Sequence, residues 1–407
     1  MASTPDNNVS QPSQRLINAF RTDLFGRTKI SEPYTIFDSQ HRYQINGDFD
    51  YTVESGGSVS YNSNESAVFH NVGTASGSEV TAETFRVFPY QPGKSLQVMQ
   101  TFVFSPPQEN LRQRVGYFGR RNGFYLEQDG SNIYFVRRTA SSGFVVETRV
   151  PQSEWNVDKL DGTGPSDVVL DLSKAQILFS EFEWLGVGSV RLGFAIDGYF
   201  IIAHQFNHAN YIETTYMTTA VLPCRMEITN TGETAQESVQ KQICTTVISN
   251  GGYFRPQRQN YEHRVNESVG AAYEPMIAIR LASGREDSVI IPEIIDLFPN
   301  STDNFEFALV KNPVLSGGTW NLYGPRNNVE VNNTATSMSS GEIVQEGFFG
   351  SGVFSTTGVT ISDNKNFTYQ LGRTNSDTPV SDVYVLAVRC LTGTGSVRAA
   401  MSWADLL

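Results

Sequence analysis

His204 and His208 stand four residues apart, a spacing that on a helix would place two imidazoles within reach of one metal ion. Their neighbours alternate apolar and polar, however, so the pair falls on and just after a strand, and no third His or carboxylate sits at a supporting spacing. Imidazoles bonded to loop backbone are the favoured reading. Asp158, Asp161, Asp167 and Asp171 flank a Gly-rich loop and offer oxygens to calcium, which takes about six to eight. They lack the regular ligand ladder with a closing Glu, so side-chain capping of turns is expected instead. Glu181 and Glu183 lie two apart on one strand and Asp197 sits at a turn; a glycosidase pair stays open here, but nothing selects these acids over the others. Gly186-Val187-Gly188 opens no helix and is therefore no phosphate loop. No Gly-x-Ser-x-Gly elbow or Cys/His pairing suggests a nucleophile, so the chain reads as a non-enzyme without cofactor.

The elements that hold these residues run from Trp155 to Asn210. Val190, Leu192, Phe194 and Ile196 recur every second residue, the pattern of a half-buried strand. Asp197-Gly198 then separates them from Tyr199-Phe200-Ile201-Ile202-Ala203-His204. Both central residues of a type I′ turn need positive φ, which Asp-Gly accepts, so 190–206 is expected to be one hairpin. Trp155, Trp184, Trp320 and Trp403 are assigned to cores rather than to exposed sugar-stacking platforms, with Trp184 alternating inward beside Phe182.

Abundant turn-formers and aromatics, 34 Gly, 17 Pro, 26 Phe and 17 Tyr, together with only 18% charged residues, point away from helices and towards an all-β protein. A chain of 407 residues exceeds one ordinary core, which predicts more than one domain. The formal charge of −12 and the lack of a long Lys/Arg run argue against nucleic-acid binding. The polar start, MASTPDNNVSQPSQRL, has no apolar centre, so neither a secretory signal nor a membrane span is expected and synthesis in a cytoplasm is inferred. Cys224, Cys244 and Cys390 form no CxxC pair and read as buried small hydrophobes.

In chain order, residues 1–54 read as an N-terminal arm and strap, with Ser13–Arg21 as a helix-like docking peptide or a frayed end. Residues 55–254 hold short apolar runs at turn-punctuated intervals, among them Phe85–Phe88 and Thr214–Thr219, the sequence form of a jelly-roll-like β-sandwich. The polar stretch 255–270 reads as a linker, and 271–407 as a second β-sandwich.

Trp155-Asn156-x-Asp158-x-Leu160-Asp161-Gly162-Thr163-Gly164-Pro165-Ser166, Glu183-Trp184-Leu185-Gly186-Val187-Gly188 and His204-x-Phe206-x-His208-Ala209-Asn210 resemble a family of virion structural proteins of tailed bacteriophages, phages of cyanobacteria included. Tyr90-x-Pro92-Gly93-Lys94 and Ile279-Arg280-Leu281 through Leu309-Val310-Lys311-Asn312 fit the same family. The resemblance implies a virion location and a structural role at the tail, baseplate or capsid surface, with other virion proteins and further copies of the chain as partners. The alternative is a host-attachment protein whose sandwich loops bind cell-surface glycan.

Overall fold

The computed structural model describes residues 28, 33–252, 258–325, 327–350, 357–360, 369–376 and 378–406. It is built almost wholly of antiparallel β-sheet, and among the described residues there is no α-helix. The chain forms two compact units, one of residues 1–84 and 88–253 and one of residues 85–87 and 254–407.

The strands of the first unit are β1 (Pro33–Gln40), β2 (Phe49–Glu54), β3 (Ser58–Asn62), β4 (Ala67–Val72), β5 (Glu79–Thr84), β6 (Ser95–Val103), β7 (Leu111–Phe118) and β8 (Gly123–Asp129). They are followed by β9 (Asn132–Thr139), β10 (Val146–Pro151), β11 (Gln176–Phe182), β12 (Val190–Ile196), β13 (Tyr199–Phe206), β14 (Cys224–Asn230) and β15 (Ser238–Asn250). One sheet runs β13-β12-β11-β6-β15-β4-β3, with β1 pairing β15 beyond the end of β4; the other runs β10-β9-β8-β7-β14-β5-β2. Successive side chains of a strand face opposite ways, so each sheet gives one apolar face to the interior. The aromatic rings of Tyr117 and Phe124 from one sheet meet Phe182 of the other, with centroids 5.3 and 5.0 Å away. Phe135 likewise meets Phe194. Each such ring contributes about 1.5–3 kcal/mol by leaving water.

The second unit contains β16 (Arg258–Val269), β17 (Glu274–Leu281), β18 (Val289–Pro299), β19 (Asn304–Lys311), β20 (Val314–Ser316) and β21 (Asn321–Leu322). It continues with β22 (Val329–Asn332), β23 (Ser337–Ser339), β24 (Glu342–Gly350), β25 (Thr357–Thr360), β26 (Val383–Cys390) and β27 (Gly395–Leu406). A sheet β16-β27-β18-β25 and a sheet β21-β22-β17-β26-β19-β24 share a core of Ile277, Ile279, Ile295, Phe305, Leu386, Met401 and Trp403.

Several boundaries differ from those the sequence suggests. The arm and strap of 1–54 includes two integral strands, since β1 aligns with 244–250 and β2 with 79–84; the docking peptide Ser13–Arg21 lies outside the described residues. Most of the stretch read as a linker is β16, paired along β27. It is an edge strand whose outer flank meets solvent, which is why its sequence is polar. Phe85–Val87 is no strand and belongs to the second unit, where Arg373 N–H donates to Phe85 O (3.1 Å) and Gln370 Nε2 to Val87 O (2.9 Å). The strand there is β5, whose Glu79, Thr81 and Glu83 disguise the inward Val80 and Ala82. Thr214–Thr219 is loop, held by Tyr216 N–H on Gly186 O (3.0 Å).

Candidate functional site

The β12–β13 hairpin, which ends one sheet of the first unit, forms as its residues dictate. β12 and β13 pair from Val190–Phe206 to Ile196–Tyr199, and Asp197 and Gly198 both take positive φ, 52° and 79°. The strand seats His204 and lets the chain leave at His208, giving the two imidazoles separate surroundings. His204 Nδ1 accepts from Asn156 N–H (3.4 Å) beside Phe206; His208 Nδ1 contacts Gly188 O (2.6 Å) with its ring stacked on Tyr216 at 3.9 Å. Burial holds both well below the usual imidazole range, at about 4, so neither carries charge near neutrality. Among the described residues no group of three or more His, Cys, Asp or Glu side chains converges as metal ligands.

The four aspartates of the Gly-rich loop divide in the same way. Asp158 is buried and accepts from Leu160 N–H (2.9 Å) through Oδ1 and from Ser166 N–H (2.8 Å) through Oδ2, closing the loop on itself. Asp161 accepts from the backbone and hydroxyl of Thr163, and Asp171 from those of Ser173; these bonds hold both carboxyls below their ordinary range. Asp167 takes a positive φ at the loop's turn. Asp158→Ala removes an acceptor from two loop N–H groups, one of them the buried Leu160. It is expected to cost about 1–3 kcal/mol in urea unfolding and to speed proteolytic cleavage within 159–170. Unchanged cleavage would show that the loop is fixed by other contacts.

Glu181 is buried, accepting from Ser95 Oγ (3.1 Å) and Asn250 Nδ2 (3.4 Å) and facing Arg191 Nη1 (3.5 Å). Glu183 is buried beside Tyr90, whose hydroxyl is pushed up by burial first and by this carboxylate. Gly188 ends a turn in which its N–H meets Trp184 O (2.7 Å); a Cβ there would lie 1.6 Å from Glu183 O, so only glycine fits. Of the tryptophans, Trp155 stacks on Phe135 (4.3 Å) and Trp403 is fully buried, whereas Trp184, against Tyr90, and Trp320, under Arg280, are half-buried. Cys224 and Cys390 are buried but Cys244 is exposed, because its side chain points away from the interior of β15.

The largest ionic feature is one the sequence does not announce. On the outward face of the seven-stranded sheet, Arg114 reaches Glu127 (2.6 Å) and Glu227 (3.2 Å), and Arg225 reaches Glu227 (2.6 Å) and Glu83 (2.5 Å). At the edge, Arg149 contacts Glu127 and Asp129 (2.7 Å), and Arg138 contacts Glu147 (2.8 Å). Strand register makes this network: Arg114 stands opposite Glu127 and Glu227, and Arg225 opposite Glu83. Arg138 lies over the rings of Phe118 and Tyr125 at 5.3 and 5.1 Å. Burial pushes Glu227 up, but the guanidiniums of Arg225, Arg114 and Arg138 outweigh it and hold the carboxyl at about 2. Glu147 is held low in the same sense. Such carboxylates are fixed anions suited to joining strands, since proton donation near neutrality needs a raised pKa.

The network ends at an open edge. Among the described residues β10 closes one end of the seven-stranded sheet, and Phe144 (80% exposed), Val145 and Val146 stand in solvent there. The second unit repeats the pattern on β24, the end of its six-stranded sheet, with Ile343 and Phe348 (70% exposed). A polar cleft adjoining the network through Asp129 is formed by Gln108, Glu109, Asn110, Asp129, Asn132 and Thr231. Among the described residues no helix is long and apolar enough to cross a membrane.

No family model matches this chain, and no curated protein matches it. Solved structures do resemble it in fold. The CBM2 module of the evolved Dit of Lactobacillus casei BL23 phage J-1 is 8% identical with a TM-score of 0.36, over 55% of this chain and 99% of that one. The carbohydrate recognition domain of Emp47p is 10% identical with a TM-score of 0.34, over 53% and 94%. A GlcNAcα1-4Gal-releasing endo-β-galactosidase from Clostridium perfringens is 8% identical with a TM-score of 0.34, over 57% and 66%.

Proposed function

We propose that this chain is a structural component of a tailed-phage virion, at the tail, baseplate or capsid surface, and that it acts by assembling with other virion proteins and with copies of itself. The observation that carries this reading is the pair of sheet edges, β10 and β24, that are open among the described residues and present large apolar side chains to solvent. A lone soluble protein blunts such edges, because an unpaired strand with apolar side chains recruits other chains. In a particle the neighbour covers them. The sequence resemblance to virion structural proteins points the same way.

The test is incorporation. Phe348→Lys places a cation on an exposed edge, opposite Glu306, and should leave folding of the isolated chain unchanged. Its content in purified particles is expected to fall about tenfold or more, the effect of about 1.4 kcal/mol or more lost from a contact. Normal incorporation of this variant would remove the support that β24 lends. A second reading, attachment to host-surface carbohydrate, is favoured by the polar cleft around Glu109 and Asn132, whose loops Gln108 and Asn110 tie to 231–238. It is distinguished by binding of the isolated chain to glycans, with loss on Asn132→Ala.

A further inference from the structure

We propose that the occupant of the β10 edge is β10 of a second copy, paired antiparallel about a two-fold axis through Thr148. This deepens the assembly reading and rests on it. Residues opposite one another across an antiparallel pair point to the same side, so a two-fold pairing that continues the sheet must centre on a residue. Within the edge run Val146–Val150, whose last carbonyl accepts from Trp155 Nε1 (3.3 Å), three centres keep Glu147, Thr148 or Arg149 opposite its own copy. Centring on Glu147 sets two carboxylates face to face, and centring on Arg149 sets two guanidiniums face to face. Centring on Thr148 sets Glu147 opposite the second copy's Arg149, twice, with Thr148 opposite Thr148 and Val146 opposite Val150. Opposite charges and Thr–Thr pairs are the favourable cross-strand partners, and like charges the unfavourable ones. The edge is complementary to itself in that register alone.

The rest of the edge agrees. Glu147 and Arg149 lie on the outward face, where they already bond Arg138 and Asp129, so pairing extends the ionic network from one copy into the next. Val146 and Thr148 are exposed, and Val145 and Phe144 follow the strand at its open end. In the Thr148-centred register Val145 falls opposite the second copy's Pro151, which covers the apolar end of each strand. Pro151 ends the run, since proline cannot donate to a ladder.

Cysteines added one at a time test this without disturbing the core, where Cys224 and Cys390 stay buried. In a Cys244→Ser background, which removes the exposed native thiol, Thr148→Cys places two thiols at the axis, within the roughly 4.4–6.8 Å Cα separation a disulfide spans. Mild oxidation is expected to give a covalent dimer of Thr148→Cys, none of Val146→Cys or Val150→Cys alone, and a dimer when those two are mixed. Thr148→Lys should raise the dimer dissociation constant about tenfold or more by sedimentation, from like charges on the axis. A monomeric wild-type chain, or cross-linking of Val146→Cys with itself, overturns the proposal. If Thr148→Lys also fails to enter particles while wild type is a monomer, another neighbour covers β10 and only the second copy is refuted. If both Thr148→Lys and Phe348→Lys enter particles normally, the assembly reading falls with it.

Discussion

Glu227→Gln is expected to remove about 3–5 kcal/mol from the stability of the first unit, the usual result of breaking a buried ion pair from one side. Glu227 is buried and takes Arg225 Nε at 2.6 Å and Arg114 Nη1 at 3.2 Å; the amide keeps the shape and loses the charge. Arg225 then keeps Glu83, and Arg114 keeps Glu127, which Arg149 shares, so two buried guanidiniums each lose a carboxylate partner. The urea midpoint at pH 7 reads the loss. Replacing Arg225 and Glu227 together by Met and Leu should recover part of it, because desolvation of both ions disappears with their attraction. A loss below about 1 kcal/mol for Glu227→Gln would mean that the network is hydrated like a surface pair.

The contrast between that network and the β12–β13 hairpin shows what a sequence makes legible. Val190 to Phe206 carries its fold locally: alternation sets the faces, Asp197-Gly198 sets the turn, and the observed register follows from both. The same holds for the all-β class, and for Asp161 and Asp171, whose partners stand two residues away. Arg225 and Glu227 alternate with apolar neighbours, and Glu83, Arg114 and Glu127 each have one apolar and one polar neighbour, so all five resemble an ordinary solvated face. Only pairing of strands more than a hundred residues apart brings Arg225 to Glu83, 142 positions away. Edge strands were misread for a related reason: β16 is polar on its open flank, and polarity in a single chain reads as a linker until a partner strand is known.

Acidification is expected to destabilise the first unit in two successive windows. His70 is fully buried, its ring nitrogens 3.2 Å from Gln240 Oε1 and Gln242 Oε1, and burial, against those amide bonds, brings its pKa down to about 4. His204 and His208 are lowered to about the same value by burial. Between the ordinary imidazole value of about 6.5 and that lowered value, the unfolded chain binds protons that the native chain refuses, so stability falls as pH falls. For His70 the limit is about 3 kcal/mol across the window, with a slope of about 1.4 kcal/mol per pH unit where the difference is a whole proton. Glu227 acts in the next window: its native pKa lies below the unfolded one, so its contribution is intact above about 4.5 and is lost as pH falls towards about 2. Urea midpoints measured from pH 7.5 down to 3 should therefore drop first between 6.5 and 4 and again below 4.5. His70→Asn should make the first decline shallower by its own share, with His204 and His208 still contributing, and leave the second, whereas Glu227→Gln should leave the first and flatten the second. A wild-type profile level from pH 7.5 to 4.5 would mean that these imidazoles take up protons in the folded protein as readily as in the unfolded chain, and that burial does not isolate them.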